Sequence, residues 1–172
     1  MIAITGTPGT GKTTVAEVLR RRGYVVLNVN ELAEKYGCVV GEEEGTKIVD
    51  IDCLEKIEVE ADFVEGHLSH YLKVDAIVVL RCRPDVLYER LLGKGWDEEK
   101  IRENVEAELI DYILVEAIER GKVVHEIDTT NLNPEEVADK IEEILKGKHY
   151  PPGNVDWLSE FSDDFDKYIR KL

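Results

Sequence analysis

A chain that reads Ile-Ala-Ile-Thr-Gly-Thr-Pro-Gly-Thr-Gly-Lys-Thr-Thr over residues 2–14 has few ways to fold around those glycines. Gly6, Gly11, Lys12 and Thr13 meet the spacing G-x-x-x-x-G-K-[ST], a phosphate-binding pattern when a strand precedes it and a helix follows. Both flanks fit. Met1 to Ile4 is a short apolar run that reads as a buried strand, and Val15, Val18 and Leu19 fall at helical spacing among charged residues. Glycines let the backbone curl so that its N–H groups point at an anion, and a helix beginning near Lys12 adds its positive end. The segment predicts a site for a nucleoside triphosphate with magnesium.

The 172 residues suit one domain with a sizeable core. Lys and Arg number 22 against 37 Asp and Glu, a net charge of −15, which repels nucleic-acid backbones and membrane surfaces and suits a basic protein partner. A broad nucleic-acid groove is therefore not expected. Cys38, Cys53 and Cys82 are odd in number and lack metal-ligand spacing, so reduced thiols in a cytoplasmic compartment are expected. No signal peptide or membrane span is expected, because the first apolar run ends in the glycine loop. Abundant Glu and Lys, with no Gln, hint at a thermophilic source.

Apolar runs at Tyr24–Leu27, Ala61–Val64, Asp75–Leu80 and Val123–Ile127 continue the strand series. Between them, helices are predicted from Pro84 to about Leu92, from Asp97 to about Arg120, and from Pro134 to Leu145, the last with Asn133 as N-cap and Gly147 as stop. Strands alternating with helices predict an α/β fold, a parallel sheet with helices on both faces and ligands at the carboxyl ends of the strands. Two stretches break the rhythm. Residues 28–52 carry a short helix (Val29–Tyr36), then Gly37, Gly41, Glu42-Glu43-Glu44 and Gly45, too long and irregular for a plain connection, which suggests a functional insert. Residues 148–172 open with Pro151-Pro152-Gly153, and Leu158, Phe161, Phe165, Ile169 and Leu172 then recur as in an amphipathic helix expected to fold back on the body.

Phosphoryl transfer needs an acid at the end of a buried strand beside the magnesium, and Glu65, closing Ala-Asp-Phe-Val-Glu, fits that position. Thr13 would give its hydroxyl to the metal directly. His67 reads either as a group that orients water or as a packing residue; His125 reads as structural and His149 as a surface residue. Arg81, Arg83 and Arg90 flank the helix after the fourth strand, Lys94 sits in Gly93-Lys94-Gly95-Trp96, and Arg102 begins the next helix. That turn has the charge and flexibility of a small lid, although ordinary solvated side chains would look the same.

Taken together, residues 5–14, Glu65-Gly66-His67, Val86–Leu91, Lys94–Lys100 and Asn104–Glu108 make the chain resemble the adenylate kinase isoenzyme 6 family, in an archaeal-type form. The resemblance spans Met1 to about Gly147. It implies a P-loop NTPase domain over residues 1–147 with five parallel strands, a monophosphate-binding insert near 28–52 and a lid near 93–103. It implies ATP phosphates on Gly9, Gly11, Lys12, Thr13 and Thr14, Lys94 as lid cation, and Arg90 against the ATP base. Lys12, His67, Arg90 and Arg102 are the implied catalytic groups, with Mg2+ held by Thr13 and Glu65. The implied activities are phosphate exchange between ATP and a nucleoside monophosphate such as AMP, and ATP hydrolysis. They would serve late maturation of the small ribosomal subunit and rRNA processing, through transient binding of a basic ribosomal protein of its platform. Where the family carries Asp-x-His, this chain has Glu65-Gly66-His67. The three cysteines exclude a four-cysteine zinc lid.

Residues 28–52 contain no arginine, and Lys35 and Lys47 are their only cations. Lysine offers a point charge rather than a two-toothed grip on phosphate. The alternatives are therefore a purely metabolic monophosphate kinase, an assembly ATPase whose acceptor pocket serves a protein, and, more distantly, another small-molecule P-loop kinase.

Overall fold

The computed structural model describes residues 1–170; Leu172, the last position of the predicted tail pattern, lies outside the described residues. Five strands form one parallel sheet: β1 (Ile2–Gly6), β2 (Val26–Asn28), β5 (Phe63–Glu65), β6 (Ala76–Arg81) and β7 (Val123–Asp128), in the order β2-β5-β1-β6-β7. The order reverses direction at β1, so a crevice opens at its carboxyl end, where the glycine loop begins.

Alternating side chains send each strand to both faces of the sheet. Ala3, Val64, Ile77, Val79 and Val124 pack under helices α2 (Val29–Lys35), α3 (Ile51–Leu54) and α6 (Tyr112–Glu119). Ile4, Phe63, Val78, Leu80 and Ile127 face α1 (Lys12–Arg21) and α7 (Pro134–Leu145). Each such side chain contributes roughly 1.5–3 kcal/mol on burial, which clamps β1 between two apolar layers. The Asn133 cap is present as expected: its side chain accepts from Glu136 N while Glu136 answers to Asn133 N, and Gly147 closes the helix at φ 99°.

Four expectations are corrected. The helix expected over Asp97–Arg120 is broken into α5 (Glu98–Leu109) and α6 by Asp111, which is left-handed at φ 59°. That conformation costs about 1–2 kcal/mol for a non-glycine residue; here the Asp111 carboxylate pairs with buried Arg81, which offsets the cost. The tail helix is instead two single turns, α8 (Trp157–Glu160) and α9 (Phe165–Tyr168). Trp157 and Phe161, four residues apart at the start and C-cap of α8, both enter an apolar cluster with Leu87, Leu91, Ile101, Val105 and Leu109, on α4 (Pro84–Gly93) and α5. The tail does fold back on the body.

The insert contains an antiparallel hairpin, β3 (Val39–Glu43) with β4 (Thr46–Val49), that the glycine-rich reading did not resolve. Its root carries the fourth correction: Cys38 and Cys53 form a disulfide, and only Cys82 is free, among the described residues. The hairpin brings together two cysteines 15 positions apart, a pairing that spacing alone could not reveal. No helix among the described residues is long and apolar enough to cross a membrane.

Closing a loop of about 15 residues is worth about 3 kcal/mol in the chain-entropy account. Reducing agent, or Cys53→Ser, should therefore lower the urea midpoint with the native far-UV spectrum retained. Unreduced protein unfolded in denaturant should take up alkylating reagent at Cys82 alone; uptake at Cys38 and Cys53 would show that the bond is not formed.

Candidate active site

The glycine loop is shaped by close packing. At Gly6 (φ 147°) an added Cβ would lie 2.5 Å from the Leu80 carbonyl oxygen, and at Gly9 (φ 93°) one would lie 2.8 Å from Leu87 Cδ1. The loop is thus pressed against β6 and α4 in a form open only to glycine. Gly11, left-handed at φ 101°, starts α1, whose first turn carries neither a side-chain cap nor an acid. Its orphan N–H groups and positive end are left for an anion.

Lys12, nearly buried, donates from Nζ to the carbonyls of Gly6 (2.7 Å) and Thr7 (3.0 Å). Burial pulls its pKa down to about 7 against the opposing attraction of Glu65, and Lys94 adds to the depression. Glu65 ends β5, 3 % exposed, and its Oε1 accepts from Asn28 Nδ2 at 2.7 Å. Asn28 uses its other side-chain atom to cap α2, accepting from Asn30 N and Glu31 N. One asparagine therefore fixes both the start of the insert and the acid beside the loop. Gly66 turns the chain past α2 at φ 135°, where a Cβ would meet Val29 Cγ1 at 2.3 Å.

His67 is half-buried, and burial, with repulsion from Lys12 and His70, lowers its pKa to about 4. At neutral pH it is an uncharged imidazole able to accept a hydrogen bond. Arg90 donates to the carbonyls of Gly9 and Thr129, both at 3.3 Å. Lys94 reaches over the Trp96 ring at 5.8 Å. A cleft of about 690 Å³ is lined by Gly9, Gly11, Lys12, Thr13 and Thr14, by Glu65 and His67, and by Arg90 and Lys94.

Nine of the ten residues given catalytic, phosphate-binding or metal roles in the sequence thus meet in one cleft. Arg102 does not: its guanidinium holds Glu98 (2.7 Å) and the tail carbonyls of Lys167 (2.7 Å) and Ile169 (3.0 Å). Arg81 is a buried structural cation, 1 % exposed, bonded to Glu108, Glu126 and Asp111. Neither insert lysine lines the cleft: Lys47 pairs with Glu34, and Lys35 lies over Tyr36. His125 is buried in β7 and accepts from Tyr150 N, while His149 stacks edge-on against it from the surface. Sequence reasoning missed Asn28 as the partner of Glu65, although its place at the end of a strand run was a signal. It also missed Glu108, whose Oε2 accepts from Thr7 Oγ1 in the loop at 2.7 Å.

A glycine loop between β1 and α1, a basic residue folded back on it and an acid on the adjacent strand define a P-loop nucleotide-binding protein of the kinase type. A family model described as “AAA domain” matches residues 2–111. A protein of Archaeoglobus fulgidus described as “Putative adenylate kinase” is 53% identical, with 100% of this chain and 99% of that protein covered. One of Thermococcus gammatolerans with the same description is 45% identical, with 99% of each covered. The structure of shikimate kinase from Acinetobacter baumannii shares the fold, with a TM-score of 0.59 at 18% identity over 84% of this chain and 92% of that one. The chain belongs to the adenylate kinase-like family of P-loop proteins.

Gly66→Ala combines a disallowed φ with a 2.3 Å clash, so urea unfolding should show a loss of about 2–4 kcal/mol. Gly121→Ala, at φ 69° with open space around it, should cost only about 1 kcal/mol. Equal losses would contradict the close approach of Gly66 to Val29.

Proposed function

We propose that this protein is an ATP:nucleoside monophosphate phosphotransferase of the adenylate kinase type with accompanying ATPase activity, AMP being the favoured acceptor. The observation that carries the reading is the single cleft in which the glycine loop, Lys12, Glu65, Arg90 and Lys94 face one another. Phosphoryl transfer is mainly positioning and charge neutralisation, and these residues supply both. The Lys12 ammonium, held on loop carbonyls, would shift to the phosphates, and the free N–H groups of the loop and α1 would hold the others. Arg90 would lie along the nucleotide base, and Lys94 would close from the turn after α4.

The donor set fits Mg2+: a threonine hydroxyl at Thr13 and a carboxylate at Glu65 are hard oxygen ligands beside a phosphate cradle. When bound, the ion would neutralise phosphate charge as transfer proceeds. Asn28, Asn30, Gly66 and His67 form the facing wall, where an acceptor would sit. Neutral His67 would orient a water in hydrolysis.

A second reading has its own support. The family branch resembled in sequence, adenylate kinase isoenzyme 6, implies a role in small-subunit maturation with a basic platform ribosomal protein. A net charge of −15, the exposed Glu42–Glu44 run and the lack of insert cations in the cleft favour such a partner. Both activities would be cytoplasmic and compatible in one protein.

The readings separate when the protein is incubated with ATP and Mg2+, with and without AMP, and ADP and phosphate are measured. ADP formation that depends on AMP, without free phosphate, supports transfer; phosphate release that ignores AMP but responds to a basic ribosomal protein supports assembly. Lys12→Ala should lower both by about 100-fold or more; full activity would sink the scheme. His67→Ala should impair hydrolysis more than transfer.

Lys12 also predicts a proton linkage. With a pKa near 7 it is largely neutral at pH 8, and phosphates favour its charged form. ATP binding at pH 8 should therefore take up close to one proton, and affinity should fall up to about tenfold per unit as pH rises above 7. Calorimetry in buffers of different ionisation enthalpy reads this directly, and a buffer-independent enthalpy at pH 8 would contradict it.

A further inference from the structure

The cleft is joined to the C-terminal tail by one buried carboxylate. Glu108, near the end of α5 and 2 % exposed, accepts at Oε2 from Thr7 Oγ1 (2.7 Å). At Oε1 it accepts from Arg81 Nε (2.8 Å), Cys82 N (3.2 Å) and Trp157 Nε1 (3.0 Å). The Thr7 carbonyl in turn receives Thr10 Oγ1 (2.8 Å) and Lys12 Nζ (3.0 Å). Three hydrogen-bonded steps thus run from a tail indole, through Glu108 and Thr7, to the lysine of the loop.

The surrounding charges make that path sensitive. Arg81 faces three carboxylates, Glu108, Glu126 and Asp111, so one cation leaves the cluster with excess negative charge. Neutral donors must share it: Trp157 on Glu108, and Gly153 N (3.1 Å) and Asn154 N (3.2 Å) on Glu126 Oε1. In a site of low dielectric such donors cannot be removed without redistributing the remaining bonds. Most of these donors belong to the tail. The tail also straps α5, through Arg102 to the carbonyls of Lys167 and Ile169 and through Arg170 Nε to Glu106 (3.0 Å). Trp157 and Phe161 pack on α4 and α5, between which lies the turn carrying Lys94, while α4 carries Arg90.

We propose that Glu108 is a positioning residue that couples the seating of the C-terminal tail to the shape of the glycine loop, so that a tail docked through Trp157 sets the affinity for the triphosphate. The inference rests on the cleft being an ATP site and assigns that site a control element. Thr7 and Trp157 then act as the two ends of one device.

The test is a double-mutant cycle. Thr7→Val keeps the side-chain shape without the hydroxyl, and Trp157→Phe keeps an aromatic ring in the apolar cluster without the N–H. Each should weaken MgATP binding by about 3–10-fold in calorimetry with KM for AMP unchanged, and the double variant should be no worse than Thr7→Val alone. A purely structural Trp157 would lower the melting temperature yet leave ATP affinity intact, and that result overturns the proposal; so does additivity of the two losses. Unmodified protein supplies a second measurement: saturation with MgATP should slow hydrogen exchange across residues 156–161, and unchanged exchange despite binding also overturns the coupling. Failure of the unmodified protein to bind ATP at all would overturn the nucleotide reading itself, whereas binding without coupling removes only this inference.

Discussion

The ammonium of Lys12 is held out of water on two backbone carbonyls, those of Gly6 and Thr7. Neutral carbonyls repay only part of the cost of burying that charge, and the depressed pKa of the group records the shortfall. The loop must keep both carbonyls turned inward, which requires Gly6 and Gly9 in conformations that bring their backbone against Leu80 and Leu87. Glu65 stands beside the loop as a partial counter-charge and is itself held by Asn28. An incoming polyanion would complete the charge balance that the protein leaves open. In this sense the site is preorganised around a deficit of negative charge next to Lys12, in a chain that otherwise carries a large excess of it.

What could be read from the sequence was whatever depends on local pattern. The strand–loop–helix at the start follows from three glycines, a lysine and their apolar flanks. Glu65 follows from being last in a buried strand, since parallel strands deliver their carboxyl ends to one crevice. The cap of α7 follows from Asn133 and Glu136. Other features depend on partners far along the chain. The helical period runs straight through Asp111, and only its ion pair with Arg81, 30 residues earlier, explains a left-handed turn there. Arg81 itself reads by position as one of the functional cations flanking the helix after the fourth strand, because nothing local shows that Glu108, Glu126 and Asp111 converge on it. Arg102 looked like a lid residue by position, but its direction is set by tail carbonyls. The disulfide needed the hairpin before its cysteines could meet.

The tail illustrates a related limit of periodicity. Leu158, Phe161, Phe165 and Ile169 recur at helical spacing, yet two single turns form. A continuous helix would present one stripe to the body. The groove between α4 and α5 instead takes Trp157 and Phe161 deep, with Phe165, Tyr168 and Ile169 only partly buried, so the chain bends to follow its surface. Tertiary packing overrides a helical preference that is marginal at this length. The Trp157 N–H also meets Glu108, a contact that no amphipathic pattern could have indicated.

Charge is segregated across the cleft, and this constrains what can act there. Lys12, Arg90 and Lys94 all belong to the glycine loop, α4 and the turn after it, while the insert contributes amides from Asn28 and Asn30 rather than cations. Its own lysines are spent on Glu34 and Tyr36, and its hairpin ends in the exposed Glu42–Glu44 run. On the proposed reading a triphosphate would be gripped along the loop, whereas an acceptor phosphate would have to share the same cations. Such sharing would favour an acceptor once donor and acceptor phosphates were brought in line, since the cations would then serve both at once. Before that alignment, the insert would offer the acceptor hydrogen bonds but little charge, and its exposed hairpin is acidic. Donor binding and acceptor selection would thus fall to physically different parts of one cleft, the first to the glycine loop and the second to the disulfide-rooted insert.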